Sequence, residues 1–334
     1  MELLELIGQG AFCVKDGNIT AANRAALQRQ ISPDRELAPM LCEYAEEYDA
    51  FEDGILYLRL QVDGAQYDAT VTRTDEGDLF LLDDPYTDEA LKSMTLCSMH
   101  LRSQLSGVMS SLEGQTDSAL IRGIYKLQRT VCNMSDIAYY RSSKVQTDTL
   151  EIGSVIYEIV EKASVLLGKS GRTLRFTGLR EQVFTQGNYE LIERAVYNLI
   201  SNAAKFTDSE ITVTAAKKGS SVLLTVEDSG DGISEDLYST LFNRYQRQPG
   251  IEDGRFGIGL GLSLVRAAAA VHSGTVLVTR GKSGGTKVTM SIAIRPSSKD
   301  TVRTPAVKLS DYAGGNDHAL VELSDVLPVE VYSL

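Results

Sequence analysis

Residues 198–206 read NLISNAAKF, and this nonapeptide decides how the rest of the chain is read. Asn198 and Asn202 lie four residues apart, so a helix places both on one face. Lys205 falls near the same face. Neutral amides ligate Mg²⁺ and hydrogen-bond phosphate oxygens without adding negative charge, and a lysine meets a phosphate as a point charge. Two ordinary surface asparagines are the plain alternative.

Three further segments bear on that choice. DSGDGI, residues 228–233, ends a strand. Asp228 there suits the amino group of an adenine, while Gly230 and Gly232 allow a tight backbone approach. RFGIGLGLSLVRAAAA begins at Arg255, and Gly257, Gly259 and Gly261 precede its apolar helix. Free backbone N–H groups at such a helix start suit phosphates. GGT, residues 284–286, enters the last strand, where Thr286 can join the adenine-side hydrogen bonds. Each segment alone also reads as a plain tight turn.

Together and in this order they resemble the N box, G1 box, G2 box and third glycine box of the GHKL superfamily: gyrase, Hsp90-type chaperones, histidine kinases and MutL. Phe242, in LFNRY, looks like the family's F box. The resemblance covers roughly residues 150–295 and implies a Bergerat-type α/β sandwich that binds ATP and Mg²⁺. It implies Asn202 as the Mg²⁺ ligand, Asp228 as the adenine acceptor, and Asn243 to Gly254 as a lid. Asn198 stands where the ATP-hydrolysing members carry a glutamate that activates water. An amide cannot act as that base, so the chain resembles the histidine kinase branch.

Working outward, residues 146–295 alternate helices and strands, with ITVTAAKK and SVLLTVEDSG meeting at a Gly219-Ser220 turn, and TVLVTR and GTKVTMSIAI forming a last pair. Residues 86–145 change character. Leu91, Met94, Ser98, Leu101, Leu105, Val108 and Leu112 recur at 3-4 spacing, as do Leu120, Ile124, Leu127, Val131, Met134 and Ala138 after a GQTD break. This predicts an antiparallel helical dimerisation hairpin, two copies of which make a four-helix bundle in a homodimer. The rival is that the seam packs on neighbouring domains of the same chain.

Residues 1–85 read as a hairpin around Asp16-Gly17-Asn18, a helix from Asn23, and a three-strand meander. The order resembles a PAS domain, which implies a small ligand at the N-terminal domain. Another small α+β module is the alternative. Residues 296–334 read as an extended C-terminal tail, docked on a domain or disordered, with Pro296 and Pro305 interrupting regular structure. The expected class is therefore α+β, in four segments: 1–85, 86–145, 146–295 and 296–334.

A histidine kinase also needs a phosphate acceptor. The family pattern His, Glu, Leu, Arg, Thr, Pro, Leu aligns with Met99, His100, Leu101, Arg102, Ser103, Gln104, Leu105. Leu101, Arg102 and Leu105 set the register, which puts Met99 at the acceptor position and His100 one place later. One residue is about 100° around a helix, so His100 points away from the acceptor direction. His100 is still the candidate catalytic acceptor, because imidazole is chemically competent and a local irregularity would re-aim it. The plain reading is a surface histidine. His272, in the helix-to-strand turn, and His318, in the tail, are poorer candidates. The residues used for phosphatase chemistry in the family correspond here to His100 and Ser103, so that activity is weakened as well.

Bulk properties narrow the remaining choices. The 334 residues suit two or three domains, and 43% are hydrophobic. The net charge is -12 and no Lys/Arg run occurs, which argues against a nucleic-acid partner. Cys13, Cys42, Cys97 and Cys132 fit no metal spacing. No eighteen-residue apolar run and no basic leader occur, so no membrane span and a cytoplasmic location are expected. The reading is an ATP-binding, sensor histidine kinase-like protein of two-component signalling, with a separate response regulator as partner. The alternatives are a pseudokinase that uses ATP as a conformational switch, and a kinase acting on a residue of another protein.

Overall fold

Two Asp-Gly turns shape the N-terminal sheet. Asp16 and Gly17, and again Asp63 and Gly64, all have positive φ, the geometry that closes a two-residue hairpin with the right twist. The first joins β1 (Ala11–Lys15) to β2 (Asn18–Ala22), and the second joins β3 (Ile55–Val62) to β4 (Ala65–Thr74). β5 (Gly77–Leu82) pairs antiparallel with both β1 and β4, so the order is β2-β1-β5-β4-β3. Four short helices, α1 (Glu2–Glu5), α2 (Arg24–Leu27), α3 (Ala38–Leu41) and α4 (Ala45–Asp49), accompany this sheet. Asn23 caps α2 by accepting from the Ala26 N–H at 3.0 Å. Phe12, Ile19, Met40, Phe51, Leu60 and Phe80 fill the interior.

The computed structural model describes residues 2–83, 88–111, 117–142, 145–232, 260–295, 302–303 and 317–333. α5 (Asp88–Ser111) and α6 (Ser118–Ser142) form the expected helical hairpin. Their heptad stripes do not behave as one seam. On α6, Ile124 and Val131 are buried while Leu120 and Leu127 are exposed. The buried face continues through Ile121, Tyr125 and Cys132, which pack on the C-terminal half of the same chain. Leu96, Met99, Leu101 and Val108 of α5 are exposed.

The second α+β unit contains β6 (Asp148–Glu151), α7 (Ile152–Gly168), β7 (Thr173–Thr177), β8 (Phe184–Gly187), α8 (Tyr189–Phe206), β9 (Glu210–Lys218) and β10 (Ser221–Asp228). It ends with α9 (Leu260–Val271), β11 (Val276–Arg280) and β12 (Thr286–Ala293). β7 and β9 are parallel, and the other pairs of this sheet are antiparallel, so it is mixed as expected. α7, α8 and α9 bury Ile156, Ile159, Ala195, Leu199, Leu264 and Ala268 in one core with β9 to β12. β6 and β8, with the two-residue β13 (Val302–Arg303), make a separate small sheet that sequence patterning does not mark.

The two sheets are one. β3 pairs antiparallel with β11, aligning Ile55 with Val278, Leu56 with Leu277 and Tyr57 with Val276. A single ten-stranded sheet thus runs from the N-terminal module into the C-terminal one. Gly54 permits the junction. Its φ is +89°, and a Cβ there would lie 2.2 Å from the Val278 carbonyl oxygen. Arg266 of α9 reinforces the junction by pairing with Asp83 beyond β5 and lying 4.2 Å from the Tyr57 ring centroid.

The tail also returns. α10 (His318–Glu322) and a 3₁₀ turn at Val329–Tyr332 sit against α6 and α8, burying Ala319, Val321, Leu323, Leu327 and Tyr332. Of the docked and disordered alternatives, residues 317–333 follow the docked one. No helix among the described residues is long and apolar enough to cross a membrane.

Candidate nucleotide site

α8 carries the asparagine motif and is anchored at its first turn. Asn188 is the N-cap, its side chain accepting from the Leu191 N–H at 2.9 Å. The Asn188 N–H donates to His272 Nε2 at 3.0 Å, and His272 Nδ1–H donates to the Ala268 carbonyl at 2.7 Å. His272 is thus the neutral, Nδ1-protonated tautomer, and burial lowers its pKa to about 4. This has a pH consequence. Below 6.5 the unfolded chain binds a proton that the folded chain refuses until about pH 4. The stability from neutral His272 is present in full above 6.5 and lost as pH falls through that window, by about 3 kcal/mol. Urea midpoints compared at pH 7.5 and 4.5 should fall further in the wild type than in His272→Gln.

Helical spacing brings Asn198, Asn202 and Lys205 to one face as expected. Asn198 is fully buried, and both ends of its amide are engaged. Its Nδ2 donates to the Arg194 carbonyl at 2.9 Å and to Glu322 Oε2 at 3.2 Å, while its Oδ1 accepts from Arg129 NH2 at 2.9 Å. Asn202 is half-buried. The start of α9 faces this pair: a Cβ on Gly261 would lie 2.9 Å from Asn198 Oδ1 and 3.7 Å from Asn202 Nδ2. Only a glycine lets that helix N-terminus come so close to the amides.

At the other end of the site, Asp228 closes β10 and is 5% exposed. Its Oδ1 accepts from the Gly230 N–H at 2.9 Å and the Thr286 N–H at 3.2 Å. Burial pushes its carboxyl above the usual range, and those two hydrogen bonds oppose the rise. Gly232 takes φ +76° against the Gly284 carbonyl, and a Cβ on Gly285 would lie 2.1 Å from the Asp228 carbonyl. The DSGDG and GGT segments are therefore packed backbone to backbone. Asp228, Gly230, Gly232 and Thr286 form one cluster, and Asn198, Asn202, Lys205 and Gly261 another. Phe242, Gly257, Gly259 and the Asn243–Gly254 segment lie outside the described residues.

His100 is exposed on α5, as is Met99 at 61%. Neither enters the hydrogen bonds of Asn198 or Asp228. His318 is buried with Nδ1 2.7 Å from Glu193 Oε2, a structural position. Among the described residues no cluster of three or more His, Cys, Asp or Glu side chains is arranged around a metal position. The neutral amide of Asn202 beside a helix N-terminus instead suits a cation brought by phosphates.

Three residues at the site were not singled out in the sequence. Arg129 of α6, with Glu322 and Asp325 of the tail, surrounds Asn198 and Lys205. No periodic signal marks them, because Arg129 and Glu322 lie 193 positions apart.

Residues 187–296 match the family described as histidine kinase-, DNA gyrase B- and HSP90-like ATPases. The sensor protein KdpD of Clostridium acetobutylicum is 27% identical over 218 residues, which is 59% of this chain and 24% of that protein. The histidine protein kinase DivJ of Caulobacter vibrioides is 31% identical over 161 residues, 46% of this chain and 27% of that protein. The chain thus spans about a quarter of the length of these two relatives. Among solved structures, full-length ShkA in complex with AMPPNP superposes with a TM-score of 0.50 at 21% identity, covering 64% of this chain and 47% of that one. On this match, residues 187–296 are a domain of the histidine kinase-, gyrase B- and HSP90-like ATPase family, homologous to those of sensor histidine kinases.

Proposed function

We propose that this chain binds ATP with Mg²⁺ and works as a histidine kinase-like signalling dimer. The observation that carries the reading is the pairing of two clusters: buried Asp228 with its glycine cradle, and Asn202 beside the α9 N-terminus. In this reading Asp228 and Thr286 hold the adenine, and Asn202 holds Mg²⁺. Lys205 and the backbone start of α9 at Gly261 face the phosphates. ATP supplies the transferable phosphoryl group and Mg²⁺ neutralises its charge. The residues described here do the positioning.

The same reading assigns residues 86–145 to a homodimer interface. Leu101 and Val108 of α5 and Leu120 and Leu127 of α6 support it, because each pair lies two turns apart on one helix face and is exposed. A separate response regulator is the partner for transfer. A small ligand is assigned to the N-terminal module. A cleft of about 270 Å³ between that module and the C-terminal one, lined by Tyr44, Arg59, Gln61, Gln66, Ser273 and Arg295, offers a polar seat for it.

One observation favours a second reading, a pseudokinase that uses ATP as a switch. The exposed α5 position that aligns with the acceptor is Met99, a thioether unable to take a phosphoryl group. Titration calorimetry and labelling separate these outcomes. Asn202→Ala and Asp228→Asn are each expected to weaken MgATP binding about 10- to 100-fold while leaving the far-UV spectrum unchanged. Equal affinity in all three forms would sink the site assignment. After incubation with [γ-³²P]ATP, acid-labile label lost in His100→Ala marks an autokinase. ATP binding with no label, even with candidate regulators added, marks the switch. Label appearing only on an added protein marks transfer outward.

A further inference from the structure

Basic side chains converge at the Asn198 end of the site, and all of them face carboxylates of the chain's own C-terminus. Arg129 is 6% exposed. Its Nε donates to Glu322 Oε2 at 3.2 Å, its NH1 to Asp325 Oδ2 at 2.6 Å, and its NH2 to Asn198 Oδ1 at 2.9 Å. Lys205 Nζ meets the same Asp325 oxygen at 2.7 Å. One carboxylate oxygen therefore bridges an arginine and a lysine, the arrangement a phosphate oxygen takes in a basic site.

We propose that Arg129 and Lys205 form a subsite for the terminal phosphate of the nucleotide, and that Glu322 and Asp325 occupy it as the chain's own competing anions. This rests on the nucleotide reading above and adds to it a hairpin residue, Arg129, and an internal competitor.

Three features support the assignment. The cations belong to two different elements, α6 and α8, and Lys205 shares its helix face with Asn202. Asp325 is an anion near neutrality: burial raises its pKa, but Arg129 and Lys205 outweigh burial and hold it below the ordinary carboxylate value. A buried ion network seldom stabilises a fold better than apolar packing of the same volume. The tail already has apolar packing. Val321, Leu323 and Leu327 are buried, and Tyr332 meets Tyr125 edge-on at 5.4 Å. The apolar seat holds the segment, and the carboxylates add a charge match to the one region where an anion is to bind.

Phosphate and tail cannot both take Arg129 and Lys205. Entry of ATP must therefore displace Asp325 at least, loosening the turn that follows α10 and the α6 face beneath it. ADP, which lacks the terminal phosphate, has no such conflict.

The test is calorimetry of MgATP and MgADP on the full chain and on Asp325→Asn, with hydrogen exchange of the tail amides. Asp325 is 29% exposed, so the substitution should fold, which thermal melting will verify. MgATP is expected to bind Asp325→Asn about tenfold more tightly than the wild type, with MgADP changed by less than twofold, for removal of one competing charged hydrogen bond. Amides 318–327 of the wild type should lose protection in saturating MgATP but not in MgADP. The inference is overturned if MgATP binds both forms equally while those amides stay protected. If neither nucleotide binds either folded form, the nucleotide reading itself fails, and the subsite with it.

Discussion

Replacing Glu322 by alanine is expected to lower the unfolding free energy by about 3–5 kcal/mol, because it strands a guanidinium in the interior. Glu322 and Arg194 are both inaccessible to solvent, with Oε1 2.9 Å from Nε. Glu322 Oε2 also receives Arg129 and the Asn198 amide. Arg194 NH2 donates to Asn133 Oδ1 at 2.5 Å, so α6, α8 and α10 meet at this one carboxylate. Its removal leaves Arg194 charged, since an arginine does not release its proton in a protein. Urea denaturation followed by far-UV dichroism measures the loss. Glu322→Met combined with Arg194→Met should recover much of it, because a paired removal buries no lone charge. A single-substitution loss below about 1 kcal/mol would show that the network contributes little.

Arg266→Ala is expected to produce the other large loss, about 3–5 kcal/mol, but at the junction between the two halves of the sheet. Arg266 projects from α9, the helix whose first turn faces the asparagines, and reaches Asp83 and the Tyr57 ring. Burial by itself would lower its pKa, yet the charge of Asp83 more than offsets this and holds it raised, so the guanidinium stays charged. Without the guanidinium, the nearly buried Asp83 loses the cation it pairs with. Exchange of the β3–β11 ladder amides should accelerate more than that of β9 and β10. Uniform acceleration across the sheet would show that Arg266 stabilises the core generally and not the junction.

Much of this fold could be read from local chemistry. The Asp16-Gly17, Asp63-Gly64 and Gly219 turns announce their hairpins, since positive φ at those positions selects Gly or Asp. The α8 motif was legible because four-residue spacing on a helix fixes which side chains meet. The ladder between β3 and β11 was not. An edge strand such as ILYLRLQV carries no mark of its partner, and the partner lies in another segment. β6 and β8 escaped because DTLE and FTQG are short and alternate weakly. The hairpin seam was legible as a period but not as a partner, for Ile124 and Val131 face the same chain while Leu120 and Leu127 face outward. At the site, the residue types for adenine and metal announced themselves. Arg129 and Asp325 did not, because a charge partner more than one hundred positions away leaves no periodic trace.

The shared sheet also bears on how the chain is made. β3 is complete long before β11 exists, with about 220 residues between their paired positions. At roughly 5–20 residues per second, synthesis leaves the Ile55–Tyr57 edge without its partner for about 10–40 s. For that interval the emerging N-terminal module exposes a row of amides and carbonyls that any passing strand can pair with. Its safety on the ribosome depends on how soon TVLVTR arrives to close the edge.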